Sequence, residues 1–169
     1  MLGQMSKQIL TIGSWRRRFF AVVLAVMVGA MQAGAVGLST GIVTDPLSGV
    51  ALYGYDPVSY FTETEPMVGR PEFEYEWGGV SWLFANAANR DVFARNPDVY
   101  APQFGGYGLM ALSRGYLSEG NPRIYAILAG RLFLFYSTGN RDAFMLSQRA
   151  AYQNAVINWK RLSADLVKS

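Results

Sequence analysis

The side chains able to do chemistry in this 169-residue chain are carboxylates, hydroxyls, amides and rings, because it contains no histidine and no cysteine. A serine activated by histidine is therefore impossible, and so is a thiolate nucleophile. Serine–lysine chemistry needs a lysine beside the nucleophile. Beyond residue 36 the only lysines are Lys160 and Lys168, both close to the C-terminus. Paired carboxylates remain. Glu72, Glu74 and Glu76 recur at every second residue, which on a strand places successive acids ~7 Å apart on one face. Glycosidase-like roles can be written for that spacing, but the same alternation is what the solvated face of a half-exposed strand looks like. The second reading is the simpler, and no catalytic residue is assigned.

Metal chemistry is limited by the same inventory. Carboxylates, carbonyls and thioethers suit hard cations, or Cu(I) through methionine. Met67, Met110 and Met145 are scattered along the chain, which fits gap-filling core residues better than a thioether cluster. No calcium-loop spacing occurs. No cofactor is expected.

Rings are the remaining concentration of potential function. Tyr53, Tyr55, Tyr60, Tyr100, Phe104, Tyr107 and Tyr116 fall in segments rich in glycine and proline. Loops held by a scaffold often carry binding function, and tyrosine suits an amphipathic pocket. The competing role for these rings is to staple loops onto a small core.

The elements that must position these residues follow from local pattern. Ser39 to Leu52 reads as a lead-in with a turn at Asp45-Pro46. Asp56 before Pro57 predicts a helix cap with proline at the first helical position. Glu72 to Trp77 alternates acid and aromatic, Gly78-Gly79 supplies a two-residue turn, and Val80 to Phe84 returns, which predicts a hairpin with Val80, Trp82 and Phe84 inward. Asn86 is expected to cap a short helix carrying Val92 and Phe93, and Asn96-Pro97 a further turn. Ile124 to Leu128, Ala129-Gly130 and Arg131 to Tyr136 form a second, more apolar hairpin. Asn140 is expected to cap a long C-terminal helix on which Phe144, Ala151, Ala155, Trp159, Leu162 and Leu166 make the packed face, with Arg149, Lys160 and Arg161 on the wet side. No internal repeat, low-complexity stretch or linker is read. The expected fold class is α+β: a small antiparallel sheet of hairpins with short helices and a long C-terminal helix packed on it.

Charge divides the chain in two. Four of the 15 basic residues (Lys7, Arg16, Arg17 and Arg18) precede residue 36, and none of the 12 acidic ones does, so the remainder holds 11 basic and 12 acidic residues for a net of −1. That body has no field to attract nucleic acid. The segment before it has the order of a secretory signal: a basic stretch, the apolar run Phe19 to Met31, and Ala33-Gly34-Ala35 at the cleavage positions. The domain expectation is therefore a signal peptide over 1–35 and one domain over 36–169. Uncleaved, residues 19–38 would be marginally long enough for an inner-membrane anchor, which needs ~20 residues. Arg16-Arg17-Arg18-Phe19-Phe20 also resembles a twin-arginine export signal. The implied location is the periplasm or outside the cell, or the periplasmic side of the membrane.

Several segments of the body resemble YHS-domain proteins of the small exported bacterial kind, often named YHS-domain (seleno)proteins. They are Ala51 to Phe61, Phe73 to Phe84, Asn89 to Phe93, Asn96 to Tyr107, Leu132 to Tyr136 and Asn158-Trp159. The resemblance spans about residues 50 to 162. It implies a metal-handling role, since relatives are often suggested to bind metals, and here that role would fall to Asp56, Tyr55 and neighbouring backbone oxygens. In such relatives a cysteine or selenocysteine commonly follows the Gly-Gly-Tyr segment. This chain has Gly108 there.

The expectation that follows is a non-catalytic binding module for a small ligand or an envelope protein. Its candidate ligand-binding residues are Tyr55, Asp56, Ser59, Tyr60, Tyr100, Phe104, Tyr107 and Gly108.

Overall fold

A computed structural model describes residues 41–166. The signal or anchor expected over 1–35, and residues 19–38 with it, lie outside the described residues. Among those described, no helix is long and apolar enough to cross a membrane.

Chain order is a one-turn helix α1 (Ser59–Thr62), the hairpin β1 (Arg70–Trp77) and β2 (Val80–Phe84), then helices α2 (Ala87–Arg95), α3 (Pro97–Tyr100) and α4 (Leu109–Ser113). The hairpin β3 (Asn121–Leu128) and β4 (Arg131–Phe135) follows, then α5 (Thr138–Leu146) and α6 (Gln148–Leu166). Both sheets are two-stranded and antiparallel. The architecture is α+β, with hairpins, short helices and a long C-terminal helix, as the local patterns predict.

The acid–aromatic alternation does set the faces of β1. Phe73, Tyr75 and Trp77 are half-buried, while Glu72, Glu74 and Glu76 are exposed. Gly78 and Gly79 both take positive φ, as a tight two-residue turn between right-twisted strands requires. Asp56 holds the turn that leads into α1, its Oδ1 accepting the Val58 N–H at 2.8 Å and the Ser59 N–H at 3.3 Å. The helix itself starts at Ser59 with Val58 before it, two residues later than the expected start at Pro57.

Two further caps differ from expectation. Asn96 makes no side-chain bond to α3. Its backbone N–H instead closes α2 on the Phe93 carbonyl, and Pro97 alone opens α3. Ser137, rather than Asn140, caps the helix after β4. The chain is still extended there, and the Ser137 hydroxyl accepts the Asn140 N–H at 3.2 Å. The long C-terminal helix is also broken once. Ser147 leaves helical geometry between α5 and α6, its N–H bonded to the Phe144 carbonyl.

The larger correction concerns repetition. The domain is built twice, the second hairpin and its helix following the first at a constant offset. The β1–β2 pairs Glu74–Leu83, Tyr75–Trp82, Glu76–Ser81 and Trp77–Val80 recur as Tyr125–Leu134, Ala126–Phe133, Ile127–Leu132 and Leu128–Arg131. The register irregularity falls at the same place in both hairpins. α2 and α5 occupy equivalent positions and share their cap geometry, Asn86 to the Asn89 N–H in one and Ser137 to the Asn140 N–H in the other. Upstream, Gly69 N bonds Gly54 O at 2.8 Å and Gly120 N bonds Gly106 O at 3.0 Å. With this alignment the sequence signature becomes visible: Gly69/Gly120, Pro71/Pro122, Gly79/Gly130, Leu83-Phe84/Leu134-Phe135, Asn89-Arg90-Asp91/Asn140-Arg141-Asp142 and Phe93/Phe144.

Identity persists where geometry or the core demands it, and two positions show why. A Cβ on Gly69 would lie 2.4 Å from the Leu83 carbonyl carbon, and one on Gly120 would lie 2.4 Å from Leu134 Cβ. Neither site has room for a side chain.

Each half contributes a core. The first gathers Leu52, Val58, Tyr60, Trp82 and Phe84 around Phe93, whose ring lies 5.1 Å from both Trp82 and Phe84. The second gathers Leu109, Leu112, Phe133, Phe135, Ala151 and Ala155 around Phe144, which lies 5.3 Å from Phe135. Strand β4 serves both. Period two sends Leu132 and Leu134 to the first core and Phe133 and Phe135 to the second. That double burial is why this hairpin reads as the more apolar one. Helix α6 lays Ala151 and Ala155 against the second core, with Trp159 and Leu162 at its edge.

Candidate functional site

The predicted site residues do not share one surface. Asp56 and Ser59 have no exposed surface at all. Asp56 Oδ1 takes the two N–H groups of its own turn, and Oδ2 accepts from Ala85 N at 2.9 Å and Asn89 Nδ2 at 2.6 Å. The Ser59 hydroxyl donates to the Asp56 carbonyl at 2.7 Å and accepts the Met67 N–H at 2.8 Å. Every buried side-chain polar atom among the described residues has a partner. Asp56 and Ser59 thus hold the first half shut and present no surface of their own. A cation at Asp56 would first have to displace these donors.

Tyr60 lies one layer in. Its hydroxyl donates to the Pro122 carbonyl at 2.7 Å, and its ring meets Tyr125 edge-on at 4.8 Å, so it ties the first half to the start of β3. Burial pushes its phenol well above the ordinary range, aided by Tyr55, Tyr125 and Asp56 nearby. Tyr100 stacks edge-on against Phe61 at 5.4 Å. Phe104 and Tyr107 pack on Trp159 of α6 at 6.0 and 5.7 Å. These rings are staples, the alternative role weighed for them from sequence. Burial, then the Glu119 charge, raises the Tyr107 phenol. Gly108 is buried, with an ordinary φ of −65°.

Tyr55, one of the eight, lines a cleft. This depression of about 590 Å³ is walled by Tyr53 and Tyr55 from the first half and by Glu119, Gly120, Asn121, Pro122, Arg123 and Tyr136 from the second. Its volume is in the range of small-molecule sites. The Tyr53 hydroxyl donates to Glu119 Oε2 at 2.5 Å, and this bond, with partial burial and the Glu119 charge, pushes the phenol up to about 12. Arg123 is exposed, and its guanidinium has no hydrogen-bond or ion-pair partner among the described residues. Tyr136 is 64% exposed. The cleft therefore offers three phenol rings, a carboxylate tied to one of them, and a guanidinium with its donors unspent.

The repeat shows how the first half differs at the corresponding place. Where the second half has Asn121 and Tyr136, the first has Arg70 and Ala85. The Arg70 guanidinium folds over the Ala85 carbonyl, with Nη2 at 2.7 Å and Nε at 3.1 Å, and sits 4.8 Å above the Phe73 ring. The shorter Asn121 accepts the Arg123 N–H within its own turn. Sequence reasoning missed Glu119 to Arg123 and Tyr136 because they belong to the other half of the repeat, far along the chain from Tyr55. One available signal was Tyr136 directly after the apolar run Leu132 to Phe135.

The methionines do not gather. Met110 fills the second core as expected, whereas Met67 and Met145 are each 43% exposed and are not the core filler expected of them. Among the described residues no three acidic side chains converge as metal ligands. Comparison of the chain with protein-family models, with curated proteins and with solved structures finds no match.

Proposed function

We propose that this chain is an exported, non-catalytic YHS-like domain that binds a small anionic ligand in the tyrosine-lined cleft. The observation that carries the reading is the Arg123 guanidinium, unpaired among the described residues, in a cleft of ligand size walled by Tyr53, Tyr55 and Tyr136. A guanidinium engages planar oxyanions through paired donors, and phenol rings supply flat amphipathic walls. The family part of the reading rests on the segments quoted above, and the export part on the order of charge, apolar run and small residues over 1–35.

A thermal-shift screen of small aromatic and aliphatic carboxylates tests the ligand reading. A hit should weaken tenfold or more in Arg123→Ala, because a charge-assisted hydrogen bond contributes roughly 1.5–3 kcal/mol. Tyr53→Ala should weaken it too. Binding indifferent to both substitutions would overturn the reading. Intact mass of the protein recovered from its cells tests export: cleavage after Ala35 leaves a chain beginning at Val36, and an uncleaved cytoplasmic chain refutes it.

A further inference from the structure

The two halves repeat their backbone but not the carboxylate that closes the first. Gly108 stands in the second half where Asp56 stands in the first. Each follows a Gly-Tyr pair, and each backbone N–H is bonded alike, Asp56 N to Met67 O at 2.9 Å and Gly108 N to Ser118 O at 2.8 Å. In the first half, Asp56 Oδ2 accepts from Ala85 N and Asn89 Nδ2. Those two donors recur in the second half as the Tyr136 N–H and the Asn140 carboxamide. Neither has a hydrogen-bond partner among the described residues.

Nothing in the backbone forbids an acceptor here. A Cβ on Gly108 would sit 3.4 Å from Tyr136 N and 3.5 Å from Ser118 O, which is ordinary contact, and φ is −65°. The position also adjoins the cleft. Tyr136 and Glu119, whose backbone atoms lie within 3.9 Å of that Cβ point, are both cleft residues, and Arg123 stands in the same cleft.

We infer that the second half takes its missing acceptor from solution: a carboxylate oxygen of a small ligand, seated beside Gly108 on the Tyr136 N–H and the Asn140 side chain, as Asp56 Oδ2 is seated in the first half. This presupposes the cleft as a ligand site, the reading proposed above, and narrows its anion to a planar carboxylate anchored on these two donors as well as on Arg123 in the same cleft. The Asp56 precedent selects a planar carboxylate.

Formate and acetate are the probes, with chloride at equal ionic strength as control and melting temperature as readout. Formate at ten times its dissociation constant should raise the melting temperature of the full domain by about 4 °C. Gly108→Asp should raise it without formate and erase the response, the chain now supplying its own carboxylate. Gly108→Ala, a smaller change that fills the seat without an acceptor, should erase the response alone. Asn140→Ala should weaken it. Equal formate shifts in wild type and both Gly108 variants, or no shift in wild type, would overturn the inference. So would a Gly108→Asp variant less stable than Gly108→Ala. The cleft reading fails separately, by a screened ligand indifferent to Arg123→Ala and Tyr53→Ala.

Discussion

Removing the Asp56 carboxylate tests whether it is a structural seal. In Asp56→Ala the N–H groups of Val58 and Ala85 and the Asn89 amide lose their acceptor, at 2.8, 2.9 and 2.6 Å respectively. The Ser59 N–H keeps a second one, the Asp56 carbonyl at 3.2 Å. Hydrogen bonds to a charged group contribute roughly 1.5–3 kcal/mol each. The alanine variant also escapes the desolvation of a carboxylate that is fully buried, which returns part of that sum. The expected net loss is about 3–4 kcal/mol, a large fraction of the stability of an ordinary domain. The repeat provides an internal control. Asn89 and Asn140 are equivalent positions in equivalent helices, so propensity cancels between them. Asn89→Ala should cost about 1–2 kcal/mol and Asn140→Ala less than about 0.5 kcal/mol. Urea unfolding with a constant slope measures all three. An Asp56→Ala loss below about 1 kcal/mol, or equal losses at Asn89 and Asn140, would refute the assignment of Asp56 as the seal of the first half only.

Ala129 holds a positive φ of 49° in the second hairpin turn, where the first hairpin has Gly78. Ala129→Gly should therefore stabilise by about 1 kcal/mol, read as a higher melting temperature. Gly120→Ala should prevent folding, because the added Cβ would lie 2.4 Å from Leu134 Cβ and 2.7 Å from the Gly106 carbonyl; circular dichroism showing a native, cooperative transition would contradict this. Alkaline stability should fall through tyrosine ionisation. The Tyr53 phenol is raised to about 12 by its bond to Glu119, and Tyr60 is raised by burial. Their contribution is intact below the unfolded value of ~10 and is lost as pH climbs through the folded values. Tyr53→Phe should flatten the loss between pH 10 and 12, and an unchanged pH profile would count against the Tyr53–Glu119 bond.

Sequence by itself determined what depends on near neighbours along the chain. Alternation over Glu72 to Trp77 assigned the faces of β1, because side chains on a strand alternate whatever lies beyond them. Gly78-Gly79 fixed the turn, since few residues accept positive φ twice in succession. Asn86 as a cap was equally local. Absent histidine and cysteine closed off whole classes of chemistry before any fold was known. Asp56 was legible as an acceptor for its own turn, but not as a buried acceptor for Ala85 and Asn89, which only folding brings to it. The duplication was hidden for a related reason: β4 is packed on both faces and β2 on one, so equivalent strand positions carry different residues. What survives in both copies is sparse: two glycines, a proline, a Leu-Phe pair, the Asn-Arg-Asp run and the core phenylalanine of each helix. The cleft too was decided by tertiary structure, which brings Tyr53 and Tyr55 against Glu119 to Arg123 and Tyr136. Periodicity states which way a side chain points; packing decides what it meets.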